Sequence, residues 1–129
     1  MNENKHMMQH IYSELSTGNS RPLVDSFADD VCWTIQGTNS WAKTYQGKQS
    51  VLTDLLGPLR ERFAGRYTAV GKRFIAEDDL VVVEARGNVM TRTGMPYNNS
   101  YCFIYRIEGG MIKEITEYLD TELVTAALG

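Results

Sequence analysis

The stretch YNNSYCFIYRIEGGMIKEITEYLD, Tyr97 to Asp120, decides the fold that the rest of the chain completes. From Tyr97 to Arg106, mostly aromatic side chains alternate with smaller or polar ones. This period of two places successive side chains on opposite faces of a strand. Residues 108–110 (EGG) predict a tight turn, because glycine adopts a positive φ without steric strain. The alternation resumes from Met111 to Tyr118, so the stretch predicts two long strands joined as a hairpin.

One carboxylate, Glu117, stands inside this apolar hairpin, on the same predicted face as Ile115 and Leu119. Burial among apolar side chains removes hydration, which raises the pKa of a carboxyl group and suits it to general acid–base catalysis near neutrality. Two interpretations remain open on the residues alone. Glu117 is either a solvated strand residue or the working acid or base of a pocket.

Working outward, the spacing of apolar residues predicts helices at 6–15, 21–27, 48–63 and 121–128. Strands are predicted at 31–35, 67–75 and 80–91, and a polar loop at 36–46. Pro58 should kink or split the longest helix near Gly57. Helices kept apart from a run of strands predict one α+β domain over residues 1–129. A curved, mainly antiparallel sheet wrapped over about three helices should enclose a conical cavity for a small ligand.

Composition excludes several classes of function. The chain has 129 residues and a net charge of −3, without a basic stripe, so we expect no nucleic-acid partner. No apolar run approaches the roughly 20 residues that span a bilayer, and the N-terminus lacks the apolar core of a secretion signal. Cys32 and Cys102 lie far apart in apolar patterns and are predicted to be free, buried thiols. These features predict a soluble cytoplasmic protein with no membrane partner.

A metal or another cofactor is not expected. His6 and His10 have the i, i+4 spacing that can hold a metal, but the sequence places no third ligand beside them. Solvated helix residues are the favoured interpretation for both.

Other polar and aromatic residues are candidates for binding. On the predicted strand after the LVVV run, Glu84, Arg86 and Asn88 share a face. Arg86 is either part of a structural ion pair or the cation that stabilises negative charge beside Glu117, and Glu84 and Asn88 would then contact the ligand. Asn99 and Tyr101 share a face and could anchor a ketone or phenol, or could serve a bond within the sheet.

Three large aromatic residues of the first half of the chain, Trp33, Trp41 and Tyr45, are predicted to be cavity wall or loop anchors. Aromatic side chains at such positions serve packing more often than chemistry. We therefore treat all three as candidate substrate-binding residues without a catalytic role.

An ordered set of short motifs carries a resemblance to a known family. The set is listed here in chain order: WTIQG (33–37), YQGK (45–48), Glu84-x-Arg86, YNN-x-Y (97–101), GG-x-I (109–112) and EYLD (117–120). The chain thereby resembles the SnoaL-like branch of the NTF2-like superfamily, whose relatives include ketosteroid isomerase and limonene epoxide hydrolase. The match covers nearly the whole chain, and it is specific for a fold rather than for an activity.

The resemblance implies an NTF2-like cone, usually paired as a homodimer through the sheet, and a pocket for apolar or polyketide-like molecules. It also implies a catalytic carboxylate at a position matching Glu117. The epoxide-hydrolase branch pairs that residue with Arg-x-Asp, where this chain has Arg86-x-Asn88 and hence no second acid. The isomerase branch moves its proton with a first-strand aspartate whose pKa is tuned by its surroundings, and residues 32–37 contain no carboxylate.

Two hypotheses about function follow. The first is a cofactor-independent isomerase, cyclase or hydrolase acting on an apolar carbonyl or polyketide-like compound, with Glu117 and Arg86 as catalytic residues. The alternative is a non-catalytic ligand-binding or protein-association module of the same fold. In either case we expect a homodimer, because the face assigned to Val81, Val83, Ala85 and Val89, with the 102–104 side, needs cover.

Overall fold

The computed structural model describes residues 2–129, as five α-helices, a π-helical turn and six strands. The helices are α1 (Glu3–Leu15), α2 (Arg21–Asp25), α3 (Lys48–Ser50), α4 (Gly57–Arg62) and α5 (Thr121–Leu128), with the π-helical turn (Val51–Leu56) between α3 and α4. The strands are β1 (Phe27–Ile35), β2 (Thr44–Gln46), β3 (Thr68–Glu77), β4 (Leu80–Asn88), β5 (Ser100–Glu108) and β6 (Met111–Leu119). The predicted α+β class is confirmed.

All six strands form one sheet in the order β2-β1-β6-β5-β4-β3. Strands β3 to β6 are antiparallel neighbours, as predicted, whereas β1 pairs with β6 in parallel. The β5–β6 hairpin lies at the centre of the sheet, and Phe103 is directly opposite Glu117. Because β1 runs along the other side of β6, with Ile35 opposite Glu117, the carboxylate has an apolar neighbour on each adjoining strand.

The hairpin turn forms where the glycines predicted it. Gly109 and Gly110 have φ values of 57° and 77°. Two consecutive positive φ angles define the type of two-residue turn whose twist matches that of the strands, and glycine adopts them without strain. The predicted hairpin is therefore confirmed, with β5 and β6 joined by these two residues.

The longest helix is irregular near Gly57, as Pro58 predicted. The helix is not broken there, but one of its turns is wider than an α-helical turn. The amide of Gly57 donates to the carbonyl of Leu52, five residues back, which is the bond of a π-helical turn. Pro58 has no amide to donate, and its ring crowds the carbonyl four residues earlier. The wider turn lies just before the proline, and the chain continues directly into α4.

The N-terminal strand is longer than the sequence suggested. Strand β1 begins at Phe27, which pairs with Ile112, whereas the predicted strand began at residue 31. In the sequence, Asp29 and Asp30 had indicated the end of a helix. A register shift between Phe27 and Cys32 turns the two aspartates outward, where Lys113 Nζ lies 2.7 Å from Asp30 Oδ1. The short strand β2 was not predicted, because its three residues are polar at both ends.

The concave face of the sheet packs against the helices and contains the core. Val81, Val83, Ala85 and Val89 are buried there, so the prediction that they lie on a face needing a partner is wrong. The outer face instead presents Ile75 opposite Val82, which in turn pairs with Ile104. The homodimer through the sheet stays a prediction, now resting on this outer row.

None of the helices within residues 2–129 combines the length and apolar character needed to cross a bilayer. The cytoplasmic location stays a prediction.

Candidate functional site

The helices and the concave face of the sheet enclose a cavity of about 970 Å³. Its inner wall comes from β1, β5 and β6, through Trp33, Tyr101, Phe103, Tyr105 and Glu117. The volume is at the upper end of the range of roughly 300–1,000 Å³ that small-molecule pockets occupy. A hollow of this size amid mainly apolar walls can receive a ligand of several rings.

Glu117 is, among the described residues, the one acidic group in the inner part of this cavity, and the residue is only 6% exposed. The indole N–H of Trp33 donates to Glu117 Oε1 at 2.8 Å. Within residues 2–129, no group donates a hydrogen bond to Oε2, and that oxygen is not sealed off from the cavity. One oxygen is thus held in place while the other faces the space a ligand would occupy.

The pKa of Glu117 is raised from 4.5 to about 7. Burial is the main cause, because it removes water from the carboxylate, and the Trp33 hydrogen bond opposes it by stabilising the charged form. No ion pair within the described chain includes Glu117. At neutral pH the group therefore exists in comparable amounts as acid and base, which suits it to moving a proton in either direction.

Tyrosines surround this carboxylate. The hydroxyls of Tyr12 and Tyr105 are 2.6 Å apart, the rings of Tyr101 and Phe103 stack at 5.0 Å, and all four residues line the same cavity as Glu117. Burial raises the pKa of Tyr12, Tyr101 and Tyr105, and the charge of Glu117 raises each of them further. These phenols are protonated at neutral pH, and because one hydroxyl of the Tyr12–Tyr105 pair donates to the other, one of those two protons remains available to a ligand oxygen.

Two more tyrosines, Tyr67 and Tyr97, extend this wall beside Tyr101. Burial raises the pKa of Tyr97 to about 12, against a hydrogen bond with Asn99 that lowers it. Burial likewise raises the pKa of Tyr67, and the Tyr101 hydroxyl opposes the rise. The three phenols form a second group of donors on the cavity wall.

Asn99 supports the wall from behind and does not line the cavity. The side chain is completely buried, and its Nδ2 donates to the Tyr97 hydroxyl and to the Asp120 carbonyl, both at 3.2 Å. Its Oδ1 accepts from the amides of Ser100 at 2.8 Å and Asp120 at 3.0 Å. Every hydrogen-bonding position of the amide is used, so Asn99 fixes the end of β6 and the Tyr97 hydroxyl rather than a ligand.

Some of the predicted aromatic residues line the cavity, and one instead anchors a loop beside it. Trp33, Trp41 and Tyr101 line the cavity, as expected for candidate binding residues. Tyr45 is buried outside the cavity lining, and its hydroxyl donates to the Trp41 carbonyl at 3.0 Å. Tyr45 is thus a loop anchor, which was one of its two predicted roles.

The expected positions of Arg86, Glu84 and Asn88 are wrong. All three are exposed on the outer face of β4, while the residues that alternate with them face the core. Arg86 Nε donates to the Asn98 carbonyl at 3.0 Å, and Glu84 pairs with Arg73 at 3.1 Å. The LVVV run hides the strand's parity, because apolar side chains at consecutive positions fit either face. Arg86 cannot stabilise charge beside Glu117 from this side of the sheet.

Sequence reasoning missed four of the five tyrosines that surround Glu117. Tyr97 and Tyr105 have the same parity as Tyr101, so the alternation alone could have placed them on its face. Tyr12 lies on the buried stripe of α1, where a hydroxyl among apolar residues was the available signal. Tyr67 precedes β3, and nothing in its local pattern predicts that it faces the cavity.

Residues 2–129 contain no cluster of three or more histidine, cysteine or acidic side chains arranged to hold a metal ion. Cys32 and Cys102 are free thiols, as predicted, but both are half-buried where full burial was expected. Among the described residues, the groups that face the inner cavity are one carboxylate, phenols and an apolar lining, with arginines and Asp25 near its mouth. This donor set provides proton transfer and hydrogen bonding.

Comparison with known proteins identifies the family. The family model described as SnoaL-like domain matches residues 8–115, which is most of the chain. The protein therefore belongs to the SnoaL-like domain family, and its fold is NTF2-like. A comparison with curated proteins finds no match.

Several solved structures share the fold. An NTF2-like protein of unknown function from Burkholderia pseudomallei has a TM-score of 0.82 at 17% identity, with 100% of each chain covered. A protein described as a SnoaL-like polyketide cyclase from Jannaschia sp. CCS1 has a TM-score of 0.76 at 16% identity, covering 96% of this chain and 90% of that one. TerC, crystallised with polyporic acid, has a TM-score of 0.80 at 16% identity, with 98% of each chain covered.

Proposed function

We propose that this protein is a cofactor-independent enzyme that moves a proton on an apolar carbonyl compound, as an isomerase or cyclase. One observation carries the proposal: Glu117 is buried in a cavity of about 970 Å³ with its pKa raised to about 7 and one oxygen open to the ligand space. A protein that only stores a ligand has no need of a buried, unpaired carboxyl group, which costs several kcal/mol of hydration.

The chemistry follows from what surrounds the carboxylate. Glu117 Oε2 would take a proton from the carbon next to a carbonyl, and the electron pair left behind would form an enolate. The enolate oxygen would accept hydrogen bonds from phenols such as Tyr101 or Tyr105, which are protonated donors within the same wall. Return of the proton to another carbon gives an isomer. Alternatively, the enolate attacks a second carbonyl and closes a ring, and the alkoxide that forms takes the proton back from Glu117.

The relatives support a polyketide-like substrate. Structures of the same fold include a protein described as a SnoaL-like polyketide cyclase and TerC, which was crystallised with polyporic acid. The aromatic walls here, including Tyr101 stacked on Phe103, offer flat surfaces on which a planar compound can lie. We therefore infer that the substrate is a polyketide-like or other aromatic ketone.

The proposal is tested by exchange of carbon-bound protons in deuterated water. β-Tetralone, an aromatic ketone with acidic protons beside its carbonyl, is incubated with the protein and followed by NMR. We expect exchange about 100-fold or more above buffer, since a positioned general base contributes roughly 10²–10⁴-fold.

Native mass spectrometry of protein purified from its host distinguishes the non-catalytic alternative. A retained compound recovered unchanged, together with no acceleration of exchange for β-tetralone or for the retained compound, would replace the enzyme with a binding protein.

A further inference from the structure

Arginines from three separate segments meet at the mouth of the cavity. Arg21 begins α2, Arg60 lies in α4, and Arg66 lies between α4 and β3; all three line the cavity and are exposed to solvent. One acidic residue, Asp25, is part of the same rim and pairs with Arg21 at 3.8 Å. The rim is therefore positively charged, although the whole chain has a net charge of −3.

Arg66 is held at this rim by the shape of the turn after α1. Gly18 has a φ of 87°, and a Cβ at that position would overlap the Cδ of Arg66. The stem of Arg66 therefore lies directly against the backbone of the turn, which only glycine permits. Arg60 reaches the same turn, since its Nη2 donates to Ser20 Oγ at 3.4 Å.

Among the described residues, no carboxylate neutralises the guanidinium groups of Arg60 and Arg66. Neither forms an ion pair within residues 2–129. A guanidinium presents a planar fork of donors that fits a carboxylate or phosphate. Charges of one sign at the mouth of a low-dielectric cavity also concentrate ligands of the opposite sign.

We propose that the natural ligand is amphipathic, with an apolar body inside the cavity and a carboxylate or phosphate group held at the mouth by Arg60 and Arg66. The inner wall favours this orientation, because the carboxylate of Glu117 repels a second anion and the apolar lining does not hydrate one. The anionic group thus stays outside and the reacting carbon points inward. This inference uses the cavity of the proposed function, but it concerns binding and not catalysis.

Two dyes with the same body test the charge preference. Anilinonaphthalene sulfonate is an anion, and N-phenylnaphthylamine is its uncharged counterpart; both fluoresce on entering an apolar site. We expect Arg60→Gln and Arg66→Gln each to weaken binding of the sulfonate about threefold, and of the neutral dye by less, since one exposed ion pair contributes little. Added salt should weaken only the sulfonate.

The matched control is Arg73→Gln, which removes the same charge from the outer face of the sheet. The proposal would be overturned if the control and the rim variants lost equal affinity for the sulfonate, or if the rim variants lost equal affinity for both dyes. Failure of the wild-type protein to bind either dye would also overturn it. Gly18→Ala, which displaces Arg66, should reproduce the selective loss for the sulfonate while circular dichroism verifies the fold.

Competition distinguishes the two anionic groups. Decanoate, decyl phosphate and decanol share one chain and differ in the head group. We expect both anions to displace the neutral dye at lower concentrations than decanol does, and the stronger anion identifies the head group of the ligand. Decanol competing as well as both anions would contradict the inference. Because binding is read without turnover, these preferences can be measured whether or not the catalytic proposal holds.

Discussion

Replacing Glu117 by glutamine should reduce proton exchange on β-tetralone by about 100-fold or more, to near the rate in buffer. The substitution keeps the size of the side chain and an oxygen that can accept from Trp33 Nε1, now 2.8 Å from Glu117 Oε1. It removes only the group that can accept the carbon-bound proton. NMR exchange rates for the wild-type protein and the variant, at equal concentrations, provide the measurement.

The rate of proton exchange catalysed by the wild-type protein should also depend on pH. The carboxylate is the active base and its pKa is about 7, so the rate should fall about tenfold for each pH unit below neutrality and level off above it. A group with its ordinary value of 4.5 would already be fully active in mildly acidic buffer. Glu114→Gln is the matched control, because Glu114 lies on the same strand but is exposed and paired with Arg106 at 2.9 Å.

Unfolding in urea checks that the loss is chemical. The folded pKa of Glu117 is raised from 4.5 to about 7, so the stability that the protonated group contributes is lost as the pH rises through this window. Glutamine does not titrate, and the variant should be more stable than the wild type by up to roughly 3 kcal/mol in mildly alkaline buffer. Full activity in a folded Glu117→Gln variant would exclude the catalytic role.

Asn99→Asp should lower the free energy of unfolding by about 3 kcal/mol. The change preserves the side-chain shape but replaces the donors to the Tyr97 hydroxyl and the Asp120 carbonyl with an oxygen that cannot donate. It also places a charge at a completely buried position. Urea denaturation followed by tryptophan fluorescence measures the loss.

The Asn99→Asp substitution should also affect helix α5, which lines part of the cavity. Asp120 caps α5, since its Oδ1 accepts from the amide of Glu122 at 3.1 Å, and α5 contributes Val124 and Leu128 to the cavity lining. Loosening the link between Asn99 and Asp120 should therefore weaken binding of the neutral dye as well. The control is Asn88→Asp, which makes the same change on the exposed face of β4 and should cost less than about 0.5 kcal/mol. Equal losses at the two positions would contradict the role given to Asn99.

The sequence predicted the centre of the sheet well because its signals there are local. Strict alternation in residues 97–106 and two glycines at 109–110 determine the strand, the turn and the face of Glu117 together. The start of α5 was similarly readable, since Asp120 accepts from the amides that follow it. In the hairpin and at the start of α5, the local sequence that predicts the element lies within that element.

The rest depended on partners distant in the chain. Parity on β4 cannot be read from four consecutive apolar residues, so Arg86 was assigned to the wrong face. The bulge between Gly71 and Arg73 shifts the pairing register of β3 with β4 by one residue, and no local sequence pattern predicts it. Tyr12 meets Tyr105 across 93 positions, a contact that only the packing of α1 on the sheet creates.

Titration of the Glu117 carboxyl itself tests the central claim most directly. The isotope-labelled side-chain carboxyl carbon is followed by NMR across the pH range, and its resonance is assigned by its absence in Glu117→Gln. We predict a single transition with a midpoint of about 7 that moves when an anionic ligand occupies the cavity. A midpoint near 4.5, unchanged by ligand, would place the carboxylate in solvent and contradict the account.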